Sequence, residues 1–242
     1  RTGLGLRQMA AFVGVYSAGR GIKKAFQDHA HFQANMIYSQ AINGFDMNQR
    51  MALEQALMQA NVDTKFTSKQ LSEAVVEAAK AGRSYEQIKS AVPGAAFLAQ
   101  ATNADSVKQA MSTLIGAAAT QQYKGSMEQL AAMMGVATIS GRLDLGNLEK
   151  TFKWTPNLKS TLGWDMPGVL AMMSALAEGN VRDSVAGTTL ARMQSRLQNP
   201  SKGQKLYQDW LKTKGVDFFE KDGKTVKQPL EFLQSLSKAL AV

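Results

Sequence analysis

The stretch FTSKQLSEAVVEAAKAGRSYEQI, residues 66–88, decides the fold class. Thr67 and, three residues on, Gln70 make a capping box, in which each side chain bonds the other residue's backbone N–H at a helix start. Phe66 and Leu71 stand where a hydrophobic staple would join them across that start. Leu71, Ala74, Val75 and Ala78 then recur at helical spacing, and Gly82 is placed to close the helix in the left-handed conformation. Two residues later Ser84 and Gln87 repeat the box. One helix, a glycine stop and a second helix start within so short a span predict short paired helices rather than one rod.

Working outward, the same signals return. The second helix runs into Pro93, which has no backbone N–H and is expected to end or kink it. Asp105 reads as the next cap, ahead of Val107, Ala110, Met111, Leu114 and Ala118 on one face. Ser126 with Gln129 reads as a third box before Leu130, Met133 and Met134, and Asp144 opens a short helix bearing Leu145, Leu148 and Phe152. Asp165 caps a further helix with Pro167 in its first turn and Trp164 placed to staple Val169; Gly179 stops it. Asp183 or Ser184 caps the next, striped by Ala186, Leu190, Met193 and Leu197 and stopped at Asn199 and Pro200. Starts spaced by about 15 to 20 residues predict a bundle.

After Pro200 the texture changes. Val216, Phe218 and Phe219 precede Asp222 and Gly223, with Thr225 and Val226 beyond, and an Asp-Gly pair between β-formers predicts a hairpin. Pro229 then opens a last helix with Leu230, Leu233, Leu236 and Leu240. The expected fold is mainly α, a bundle of short helices with a small C-terminal β-hairpin. Three parts are expected: a basic N-terminal helical arm (1–48), a helical core (49–200), and a hairpin plus closing helix packed on that core (201–242).

The whole chain has 242 residues, long enough for a substantial core, with 45% hydrophobic and 19% charged residues. Its 28 basic residues exceed its 19 acidic ones, a formal charge of +9 that favours anionic partners without choosing among them. The absence of cysteine excludes disulfides, thiolate catalysis and cysteine-held metals. Met9–Ala18 and Met166–Ala177 are too short to span a bilayer. The first residue is Arg1 rather than methionine, which reads as a piece of a longer protein.

Catalytic motifs are wanting. Gly223, Lys224 and Thr225 resemble the end of a phosphate-binding loop, but Phe218 stands where its first glycine belongs. Gly3 and Gly5 begin a dinucleotide fingerprint whose third glycine would fall on Gln8. His29 and His31, two apart on a helix, point about 200° apart and cannot share a metal. Glu128, Glu149 and Glu178 are scattered singly. The expectation is therefore no enzyme, no catalytic or metal-binding residues and no cofactor. Methionines such as Met133, Met134, Met172 and Met173 read as core, and Trp154, Trp164 and Trp210 as residues near helix ends. The basic and aromatic residues between Leu211 and Lys227 come with no recognition motif, so no sequence-specific nucleic acid is expected.

The N-terminal segment carries Arg1, Arg7, Arg20, Lys23 and Lys24 among Met9, Phe12, Val13 and Tyr16, and resembles a basic amphipathic helix. Arg7, Arg20, Lys23 and Lys24 are the candidate contacts to anionic lipid or a partner. This motivates one reading of the chain, a membrane-active helical protein that forms a pore or penetrates an envelope.

A second reading comes from resemblance. From about Asn48 to Leu236 the order of segments resembles the core region of phage and prophage tail tape-measure proteins. Four stretches carry it: KFTSKQLSEAVVEAAKAGRSYEQI with AAFLAQAT, SMEQLAAMMGVATISGRLDLGNLEKTF, GWDMPGVLAMMSALAEGNVRDSVAGTTLARMQSRLQNP, and GVDFFEKDGKTVKQPLEFLQSL. The resemblance implies a structural virion protein inside the tail lumen that templates tube assembly, sets tail length through its own length, and aids DNA entry on ejection. It implies as partners the tail-tube protein, tail assembly chaperones, other tape-measure copies and the host inner membrane, with host cytoplasm as the place of assembly. It carries over no catalytic residue. Even wholly helical, the chain would reach only about 360 Å, so it is expected to be one segment of a ruler.

Overall fold

A computed structural model describes Lys24 and residues 26–223 and 225–240. The chain forms α1 (26–43), then α2 (Met47–Asp63), α3 (Ser68–Lys80), α4 (Tyr85–Ala101), α5 (Val107–Thr120) and α6 (Met127–Gly141). It continues through α7 (Leu145–Trp154), α8 (Leu158–Leu162), α9 (Met166–Glu178), α10 (Asp183–Gln198), α11 (Lys202–Thr213) and α12 (Pro229–Leu240).

Local chemistry sets most of these starts. Capping boxes stand at Thr67 with Gln70, Ser84 with Gln87 and Asp144 with Asn147, and Asp165 caps α9 by accepting the Gly168 N–H at 2.8 Å. Other starts differ from expectation. Ser106, not Asp105, caps α5, and Ser126 bonds the Glu128 N–H without a reciprocal box. Neither Asp183 nor Ser184 caps α10, whose N-cap is Arg182. Asp183 faces α7 instead: its carboxylate accepts from Asn147 Nδ2 at 2.8 Å, and its carbonyl accepts from the Thr151 hydroxyl at 3.1 Å.

Helix ends repeat one device. In α3, α4, α5, α9 and α11 the residue after the cap has a positive φ, at Gly82, Asn103, Gln122, Asn180 and Gly215. The following N–H reaches back five residues, as from Arg83 to Ala78 and Tyr123 to Ala118. These are Schellman ends, which satisfy the last carbonyls and turn the chain sharply toward the next helix.

Those turns stack the helices in two rows. One row runs α3, α5, α7, α10 and the other α4, α6, α9, α12, each helix packing on the next in its row. N-caps of the first row, Thr67, Ser106, Asp144 and Arg182, fall 39, 38 and 38 residues apart. This is the layout of an α-solenoid, in which helix pairs stack and neither partner of a pair can bury its apolar face alone. Glycine permits the close crossings. A Cβ on Gly187 of α10 would come within 2.5 Å of the Thr151 carbonyl oxygen on α7, and one on Gly141 of α6 within 2.9 Å of the Ser174 Cα on α9.

The core runs the length of the stack, from Phe32 and Met36 of α1 through Leu71, Leu98 and Leu114 to Trp164 and Phe232. Pro93 does not end its helix: α4 continues to Ala101. Pro93 and Lys89 both lie on the exposed side of α4, so the Lys89 carbonyl that lacks its usual partner faces water while Val92, Ala95 and Ala96 hold the buried side.

The expected β-hairpin is absent, for there is no strand or sheet among the described residues. A single antiparallel bridge joins Phe219 and Val226, with Glu220 N donating to Thr225 O at 2.7 Å and Lys227 N to Phe218 O at 2.9 Å. The Asp-Gly turn forms, with Gly223 at φ +69°, but the ladder has no room to extend. Val216 is committed to the end of α11 through its bond to Leu211, the Asp217 carboxylate takes the Phe219 N–H at 3.1 Å, and Pro229 opens α12.

The C-terminal segment is fastened to the α8–α9 turn instead. Trp164 is buried and its indole N–H donates to Lys227 O at 3.0 Å; Gln228 Nε2 donates to Gly163 O at 2.9 Å and its Oε1 accepts from Asp165 N at 3.2 Å. Phe232 stacks on Trp164 and packs on Phe218.

Candidate functional site

Of the four residues expected to contact lipid or a partner, Arg7, Arg20 and Lys23 lie outside the described residues, and Lys24 is exposed. His29 and His31 are both exposed on α1, and His29 stacks on Phe32. Among the described residues no group of three or more histidine, aspartate or glutamate side chains is placed to hold a metal ion. Glu149 accepts a hydrogen bond from Gln109 at 3.2 Å, and Glu178 lines an apolar groove.

What the stack offers is surface. Between α6, α9 and α12 a groove of about 600 Å³ is lined by Met133, Val136, Leu170, Ala171, Leu230 and Leu233 among others, with Glu178 its one charged side chain. The outer face of α1 and α2 exposes Ile37, Tyr38, Met47, Met51 and Met58. Met134, Met172 and Met173 are buried as expected, whereas Met133, also expected in the core, is half-buried and lines the groove, so the methionines divide between core and surface. The tryptophans divide too: Trp164 is buried, while Trp154 and Trp210 are half exposed.

The charge is uneven. Between Ser184 and Lys214 stand Arg192, Arg196, Lys202, Lys205, Lys212 and Lys214 against Asp209 alone. Arg192 and Arg196, one turn apart on α10, join Tyr207 and Phe218 in lining a groove of about 390 Å³ between α10 and α11. Sequence reasoning placed the candidate cationic contacts at the N-terminus and missed this second cluster, although the run of six cations was there to be counted.

Among the described residues the stack is thus one of short, capped helix pairs with open faces. Residues 54–241 match the family described as phage-related minor tail protein. The chain belongs to that family. It is also similar to a tape measure protein of Pneumococcus phage Dp-1, 23% identical over 197 residues, which make up 81% of this chain and 17% of that protein. The chain thus spans about a sixth of the length of the curated relative it matches. Both matches point to one coarse role for this family member, a structural part of a phage tail. No solved structure matches it, and among the described residues no helix is long and apolar enough to cross a membrane.

Proposed function

We propose that this chain is a segment of a tape measure protein, a non-catalytic virion component that lies in the tail lumen, templates assembly of the tail tube and contributes its length to that of the tail. The observation that carries the reading is the similarity to a tape measure protein over 81% of the chain. The fold supports it: the first three helix pairs, 68–101, 107–141 and 145–178, are of nearly constant length and make a unit that can be multiplied, and a ruler needs multiplicity rather than an active site. Its partners in this reading are the tail-tube protein, tail assembly chaperones and further copies of the tape measure. On infection it leaves the tube and aids passage of DNA across the host envelope.

In-frame removal of residues 106–143, one helix pair, from the full-length gene tests the reading. If length is counted along an extended helix, tails shorten by about 57 Å, measurable by electron microscopy of assembled virions. Tails of unchanged length would remove the measuring role from this region.

A further inference from the structure

The α10–α11 surface combines three properties that no other described part of the chain brings together. The first is charge: six cations against one acid from Ser184 to Lys214, with Lys212 alone engaged, at 3.7 Å from Asp217. The second is an exposed apolar stripe on α11, where Leu206, Tyr207 and Trp210 are 71%, 58% and 53% exposed and the two rings stack at 5.8 Å. The third is loose attachment, since Leu211 is the single buried residue of α11. On a helical wheel Leu206, Trp210 and Tyr207 span one sector, Leu211, Gln204 and Gln208 turn to the protein, and Lys202, Asp209 and Lys205 follow in that order on the Leu206 side of the stripe.

We propose that α11, together with Arg192 and Arg196, is the face by which this chain lies on an anionic lipid surface. A helix bearing leucine, tyrosine and tryptophan on one side and lysines beside them is built for the interface plane: the apolar side enters the headgroup boundary and the lysine stems extend to keep their ammonium groups in water. Neither Arg192 nor Arg196 has an ion-pair partner among the described residues, and both open onto the groove at the edge of the stripe, where a lipid phosphate would meet them. A nucleic acid fits this surface less well, because Tyr207 and Trp210 cover part of each other's faces and Leu206 offers nothing to a base. The inference does not rest on the ruler reading, and tail length does not enter its test.

The test uses the whole chain and vesicles of phosphatidylcholine with roughly one-third phosphatidylglycerol. Wild type is expected to cosediment with these vesicles and to bind pure phosphatidylcholine at least about tenfold more weakly. Leu206→Glu with Trp210→Glu is expected to lower binding at least about tenfold, and Lys202→Glu with Lys205→Glu about tenfold at low salt. In a Trp154→Phe background Trp210 is the exposed indole, and brominated lipid is expected to quench it on binding. Failure of wild type to bind, full binding by the Leu206/Trp210 double variant, equal binding to neutral vesicles, or an unquenched Trp210 in the bound protein would each overturn the proposal. The quenching result decides even if a charge-introducing variant does not fold.

Discussion

The α7–α10 crossing and helix α11 are neighbours in sequence built on opposite rules. At the crossing, Gly187 lets two backbones approach until a single added carbon would strike the Thr151 carbonyl oxygen and the Trp154 Cβ. In α11 the side chains are large, and most of them face away from the protein. Small residues therefore mark where this chain holds itself together, and large apolar ones on α11 mark where it is left free to hold something else. Exposure of three big apolar residues on one side of a helix costs solubility, and a helix anchored by Leu211 gains little stability from carrying them.

The contrast can be broken most sharply at the crossing. Gly187→Ala puts a methyl group against backbone that has no slack, and is expected to destabilise the fold by about 3 kcal/mol, lowering the melting temperature by roughly 6 to 12 °C in calorimetry. A smaller effect is expected at the junction of the two regions. Trp164→Phe removes the indole bond to Lys227 O and part of a buried ring, for about 2 kcal/mol. Limited proteolysis should then cut first between α11 and α12, because that connection loses its fastening to the α8–α9 turn. The smallest effect sharpens the contrast from the other side: Leu206→Gln should change stability by less than about 0.5 kcal/mol in a denaturant titration, since that side chain packs on almost nothing.

Elements governed by their own few residues were legible in the sequence. Thr67, Ser84, Asp144 and Asp165 cap as their neighbours dictate, because a cap is a bond between residues three apart. Arg182 and Pro93 were not, since Asp183 is drawn off to Asn147 and Thr151 by tertiary contact and the solvent side of α4 tolerates a missing bond. The hairpin failed for a related reason: a correct turn signal between Asp222 and Gly223 was flanked by segments already committed to α11 and α12. The two-row stack was within reach, for SYEQI at Ser84 and SMEQL at Ser126 open successive helices of one row with nearly the same residues. The α11 surface was harder, because an amphipathic stripe such as Leu206, Tyr207 and Trp210 is written identically whether a partner helix covers it or nothing does.

The near-constant interval between caps of one row bears on how such a protein can change length over generations. Loss or duplication of one interval removes or adds a whole helix pair and lets the rows close up in register. A change of half an interval would put a helix of one row into the place of the other and leave a buried stripe facing water. Viable length variants of this region should therefore differ by multiples of about 38 residues, so that tail length, where it follows the chain, would vary in steps rather than continuously.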